Sequence, residues 1–205
     1  MFRCLPALAT TLALATFCGS ASAASVGVFV ADPAGKPLPD AVVMLEPVAG
    51  RLPVTPMAGV RIAQVKRQFT PQVSVVTVGT PVSFPNDDTV RHHVYSFSPV
   101  KTFELKLYSG APNAPVVFDK PGIAVLGCNI HDQMIAWVVV IDTPLHARSA
   151  ASGHARIEGV PPGSYRLRVW HSALPEGAPP TSSALVVASG DLEQRVSLNV
   201  VGTAR

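Results

Sequence analysis

Cysteine is scarce in this chain and unevenly placed. Its 205 residues hold three: Cys4, Cys18 and Cys128. The first two sit in an N-terminal stretch with the marks of a secretory leader: Arg3, an apolar run from Leu5 to Phe17, and Ala21-Ser22-Ala23 as a small-x-small cleavage site. Residues 1–23 therefore read as a signal peptide, and the mature chain is expected to begin at Ala24 in the periplasm. Only Cys128 then remains, which excludes a disulfide within the mature chain. A lone thiol in an exported protein is free, is half of an intermolecular bridge, or is protected as a metal ligand. Lipid anchoring through Cys18 is the alternative, disfavoured by the bulky Phe17 before it.

Charge is equally thin. Asp, Glu, Lys and Arg make up 14% of the chain, against about 25% in ordinary domains. The net charge is +3 with no Lys/Arg cluster, so no nucleic-acid footprint is expected. After the leader no apolar run is long enough to cross a bilayer as a helix, and the mature chain is expected to be soluble, with no membrane span. Also missing are a Gly-rich phosphate loop, a Cys-x-x-Cys-His haem site and a Gly-x-Ser-x-Gly elbow. Long helices are disfavoured by 20 prolines and 15 glycines. With the strand patterns below, the class that follows is all-β.

What is present concentrates in Gly127-Cys128-Asn129-Ile130-His131-Asp132-Gln133-Met134. A thiol, an imidazole and a thioether fall together there, directly before the apolar run Ile135 to Ile141, which reads as a buried strand. These are soft ligands of the kind copper takes: a blue-copper site uses two His and one Cys in a roughly trigonal plane with a long axial Met. The fourth ligand must come from elsewhere, and Arg91-His92-His93-Val94-Tyr95 is the nearby paired-histidine segment. Adjacent strand residues point to opposite faces, so only one of His92 and His93 easily reaches such a metal. A cysteine in isolation is usually a small core residue. With His131 and Met134 three and six residues on, the ligand reading of Cys128 outweighs it.

Elsewhere the patterns are those of short strands. Val26 to Val30 and Ala41 to Leu45 read as a hairpin-like pair around the turn Asp32-Pro33-Ala34-Gly35-Lys36-Pro37. Residues 50–59 read as a connection. Val73, Val75 and Val78 lie in a β-rich run, and Val82-Ser83-Phe84 ends at Pro85-Asn86-Asp87-Asp88, where Asp87 and Asp88 read as turn residues, with hard-metal ligands as the lesser alternative. Phe103 to Tyr108 alternates, placing Phe103, Leu105 and Leu107 on one buried face. Val116 to Phe118 and Ile123 to Leu126 lead into the Cys128 loop, and a last strand carries Val196, Leu198 and Val200. His146, His154 and His171 are isolated and read as surface or satisfied residues. Trp137 and Tyr95 read as core, with a place on an electron path as the lesser alternative.

Two resemblances overlay these patterns. Asp32-x-x-Gly35-x-Pro37-Leu38 followed by Asp40-Ala41-x-Val43-x-Leu45 resembles the opening of prealbumin-like, or carboxypeptidase regulatory-like, sandwich domains. Val160-Pro161-x-Gly163-x-Tyr165-x-Leu167-x-Val169 resembles their closing half. Between them, Phe84-Pro85-Asn86 through His92-x-Val94, then Gly127-Cys128-x-x-His131-x-x-Met134, resembles the cupredoxins, with the ligand spacing of amicyanin. That resemblance covers about residues 69 to 142. It implies His92 as first imidazole, Cys128 as thiolate, His131 as second imidazole and Met134 as axial thioether. The family usually has Asn after the first His, bracing the Cys loop; here His93 stands there, so His93 as ligand with His92 as brace is the alternative. Asp132 reads as a solvated residue at the loop rim, with a hydrogen bond to a ligand ring nitrogen as the lesser alternative.

The implied architecture is a cupredoxin-like Greek-key β-sandwich at 61–142, inserted in or fused to a prealbumin-like β-sandwich at 24–60 and 143–205. Taken together, the motifs resemble exported cupredoxin-like proteins often labelled methylamine utilisation proteins. The function implied is that of a periplasmic electron carrier with one type 1 copper, not an enzyme, serving redox partner proteins such as a periplasmic cytochrome or dehydrogenase. A copper storage or delivery protein, and a structural sandwich without metal, are the alternatives.

Overall fold

The computed structural model describes residues 24–175 and 177–201, so the leader expected at residues 1–23 lies outside the described residues. Within them the chain is all-β. Its strands are β1 (Ala24–Ala31), β2 (Val42–Pro47), β3 (Val60–Arg61), β4 (Ala63–Val65), β5 (Gln68–Thr70), β6 (Val73–Thr77), β7 (Thr80–Ser83), β8 (His92–Ser98) and β9 (Lys101–Tyr108). They continue with β10 (Val116–Phe118), β11 (Gly122–Cys128), β12 (Ile135–Ile141), β13 (His146–Arg148), β14 (His154–Val160), β15 (Gly163–Trp170), β16 (Thr181–Val187) and β17 (Leu192–Ser197).

The first and last strands of the sequence share one core. A sheet ordered β14-β1-β17 faces another ordered β13-β2-β15-β16. Between them lie Val26, Val28, Val30, Val43, Leu45, Ile157, Leu167, Val169 and Leu198. The alternation of Tyr165, Leu167 and Val169 is explained by this burial, and the Tyr165 hydroxyl donates to the Pro161 carbonyl at 2.8 Å, anchoring the turn before β15. The hairpin expected for β1 and β2 does not form: β1 pairs with β14 and β17, whereas β2 pairs with β13 and β15. The connection from Asp32 to Ala41 is longer than the two to five residues of ordinary hairpin loops. It crosses from one sheet to the other, and Leu38 drops into the core on the way.

A second core is enclosed by residues from the middle of the chain. The five-stranded sheet β6-β12-β11-β8-β9 packs on β10-β7-β3 and on the small β4-β5 hairpin. Ile62, Phe69, Val76, Val82, Phe84, Val94, Phe118, Leu126 and Val138 fill the space between. The unbroken apolar run of β12 has a specific cause. Ala136, Val138 and Val140 enter this core, while Val139 and Ile141 on the other face pack with Val42, Met44, Val73 and Trp170 at a seam between the two sandwiches. A strand covered on both faces needs no polar alternation.

One expectation for β9 is overturned. Phe103 and Leu105 pack against the second core, but Leu107 is exposed and Tyr108 points inward in its place. His92 pairs with Tyr108 while Val94 pairs with Leu105, so β9 carries one residue more than β8 over that interval. This is a β-bulge, which reverses the alternation beyond it.

Candidate metal centre

The centre is built where β8 and β11 meet. Cys128, the last residue of β11, lies opposite Val94 of β8, and both are buried in the second core. His92, two residues before Val94, shares its face by the pleat and is fully buried. The loop from Asn129 to Met134 returns the chain to β12, and its turn is closed by the Met134 N–H donating to the His131 carbonyl at 2.9 Å. This brings His131 back over Cys128. Nδ1 of His92 and Nδ1 of His131 lie 3.2 Å apart, and Cys128 Sγ is 3.8 Å from the first and 3.7 Å from the second. Met134 is buried in the same core and lines a cavity with Cys128, while His131 is half-buried at the rim.

His93 points the other way. Its Nε2 lies 2.9 Å from Glu104 Oε1 without the alignment of a hydrogen bond, and its ring stands edge-on to Tyr95. Its main chain does brace the loop, because the His93 carbonyl accepts from the Asn129 N–H at 3.3 Å. Asp132 is exposed, in keeping with its reading as a solvated rim residue and not with the lesser one as partner of a ring nitrogen.

The carboxylate that does reach a ring nitrogen is Asp88, read from the sequence as a turn residue in preference to a hard-metal ligand. Its Oδ2 sits 2.8 Å from His92 Nε2. A carboxylate accepts and does not donate, so Nε2 carries the hydrogen and the Nδ1 lone pair is left facing Cys128 and His131. Asp88 also accepts from the N–H groups of Lys66 at 2.6 Å and Arg67 at 2.8 Å. Burial raises its pKa, but the hydrogen bonds from Arg67, His92 and Lys66 outweigh that and hold the carboxyl below the usual carboxylate range. The loop bearing it is tied by Asn86, whose side-chain amide donates to the carbonyls of Val90 and Tyr108 at 2.8 and 2.9 Å and accepts from the Asp88 N–H at 3.0 Å. Beneath, the Tyr108 hydroxyl donates to the Phe84 carbonyl and accepts from Gln64, both at 2.6 Å. Burial pushes that hydroxyl up to about 12.

The three donor atoms fit a metal ion. Metal–ligand lengths of about 2.0 Å to nitrogen and 2.3 Å to sulfur, spread over a trigonal plane, place sulfur roughly 3.7 Å from each nitrogen and the nitrogens roughly 3.5 Å apart. The sulfur separations match, and the shorter nitrogen separation corresponds to a somewhat closed angle between the imidazoles.

Fold and site together define an all-β sandwich protein with a His-Cys-His group in which His92 and Cys128 are buried and His131 is half-buried. No family model matches the chain, and no curated protein is similar to it. Among solved structures, it is similar to a purple cupredoxin from Nitrosopumilus maritimus at 21% identity and a TM-score of 0.36, covering 40% of this chain and 99% of that one. A reduced Cu(I) form of an amicyanin mutant is similar at 18% identity and a TM-score of 0.37, over 48% and 98% of the two chains. A copper-containing nitrite reductase from Thermus scotoductus is similar at 25% identity and a TM-score of 0.38; the overlap spans 56% of this chain and 28% of the reductase.

Proposed function

We propose that this chain is an exported copper protein with a single type 1 site, formed by His92, Cys128, His131 and Met134, and that it carries single electrons between redox partner proteins. The observation that carries this reading is the convergence of one thiol and two imidazole nitrogens, all within 3.8 Å of one another, with the buried Met134 lining the same cavity as Cys128. That donor set is the one copper electron-transfer sites use. Copper bound there supplies a one-electron couple. The chain's part is to hold the ligands in place beforehand: β8 and β11 fix His92 and Cys128 by strand pairing, the Met134–His131 turn fixes the loop, and His92, Cys128 and Met134 are themselves buried. Such a preformed set limits rearrangement between oxidation states. Residues 61–142 are the copper domain in this reading, and residues 24–60 with 143–205 form the sandwich that flanks it.

Visible and EPR spectra of the protein loaded with Cu(II) test the proposal. Strong thiolate-to-copper absorption with a narrow copper hyperfine splitting is expected, abolished in Cys128→Ser and in His92→Ala and retained in His93→Ala. A colourless protein that holds Cu(I) tightly would favour storage or delivery. A protein that binds neither oxidation state would favour a structural sandwich.

A further inference from the structure

Asp88 makes more contacts than a turn residue needs. Its two oxygens receive three hydrogen-bond donors: His92 Nε2 and the backbone N–H groups of Lys66 and Arg67. Those last two residues form the turn joining β4 to β5, and both have positive φ, +51° and +58°. A two-residue turn of that kind aims its N–H groups outward as a small anion cradle. Neither residue is glycine, so the conformation is strained, and the carboxylate offsets the strain by satisfying both donors. Its side chain is 14% exposed, and its charge lies 2.8 Å from the ring nitrogen. An amide at position 88 cannot serve all three donors, because its NH2 would oppose one of them.

Resting on the copper reading above, we propose that Asp88 is a positioning residue that fixes His92 as the Nε2–H tautomer and biases the site toward Cu(II). A carboxylate bonded to the far nitrogen of a ligand imidazole makes that ligand more basic. Its negative charge also favours the oxidation state with the greater positive charge. The β4-β5 hairpin, more than twenty residues away in sequence, thereby helps set the electronic character of the centre.

Three measurements on the intact protein test this. In the metal-free wild type, nitrogen-detected NMR of His92 should find the hydrogen on Nε2. In Asp88→Asn, competition titrations should show Cu(II) binding weakened by about tenfold, the lower end of the effect of removing such a partner, with Cu(I) binding changed much less. For a one-electron couple that ratio raises the potential by about 59 mV. Asp87→Asn, which removes only an exposed pair with Arg61, should leave the ratio unaltered. A merely structural role would lower the melting temperature of Asp88→Asn without moving the Cu(II):Cu(I) ratio, and that result, with wild type showing the thiolate band, overturns this inference alone. A wild type that takes up no copper overturns the function and this inference with it. Should Asp88→Asn fail to fold, the wild-type tautomer decides, and a hydrogen on Nδ1 refutes the proposal.

Discussion

A buried imidazole must satisfy two nitrogens, and His171 satisfies both. Its Nε2 donates to the Pro39 carbonyl at 2.9 Å and its Nδ1 accepts from the Ala173 N–H at 3.0 Å. A second ring hydrogen would meet that N–H head on. Burial lowers the pKa from the ordinary 6.5, with the Pro39 bond only partly opposing it. The unfolded chain therefore takes up a proton near pH 6.5 while the folded chain still resists, so the contribution to stability is complete above that pH and is lost as pH falls through the lowered value. His146, also depressed chiefly by burial, acts in the same direction. Melting temperatures measured from pH 7 to pH 5 should fall, and His171→Gln should melt lower at pH 7 with a shallower slope; a slope equal to wild type would refute the account. The sequence leaves His171 as either a surface or a satisfied residue and names neither partner, since both lie in turns fixed by the tertiary fold. For the same reason Asp88 is silent in sequence: its three donors come from two segments whose meeting no local pattern announces.

Among the elements, β9 shows where strand periodicity stops being a guide. The alternation from Phe103 to Leu107 is real, and a single inserted residue cancels it. Nothing in the composition of Lys106-Leu107-Tyr108 signals the bulge; it is set by pairing with β8 and by the hydrogen bonds waiting for the Tyr108 hydroxyl at Gln64 and Phe84. Gln64 is fully buried, and its Oε1 already lacks a partner. Tyr108→Phe should therefore cost about 1–3 kcal/mol in chemical denaturation, because it removes the hydroxyl that accepts from the buried Gln64 amide and leaves the Phe84 carbonyl with Gln64 Nε2, at 3.0 Å, as its remaining side-chain donor. Leu107→Ser, on the exposed side, should stay within about 0.5 kcal/mol. Equal effects would mean that the bulge is misplaced. By contrast, the β12 run and the closeness of Cys128 to His131 are legible directly, the first from its apolar content and the second from a three-residue spacing. That His92 and not His93 joins them depends on the register of β8 against β11, which the sequence leaves open.

At the scale of the whole molecule, the two sandwiches meet along Val42, Met44, Val73, Val139, Ile141 and Trp170. A cleft of about 900 Å³ opens beside this seam, with Met44, Trp137, Trp170 and Leu174 among its walls. Trp170 is 4% exposed, and truncation to Ala should cost about 3–5 kcal/mol. Because none of its neighbours at the seam is a candidate ligand, the copper spectrum of Trp170→Ala should match wild type while the denaturation midpoint falls. A changed spectrum would mean that the seam and the centre are coupled.

The chain has two tryptophans, and their rings lie 6.3 Å apart across the seam. Its intrinsic ultraviolet emission therefore originates at the joint rather than in either core. Parting the sandwiches hydrates both indoles at once, so a red shift dates the opening of the joint independently of the loss of strand structure.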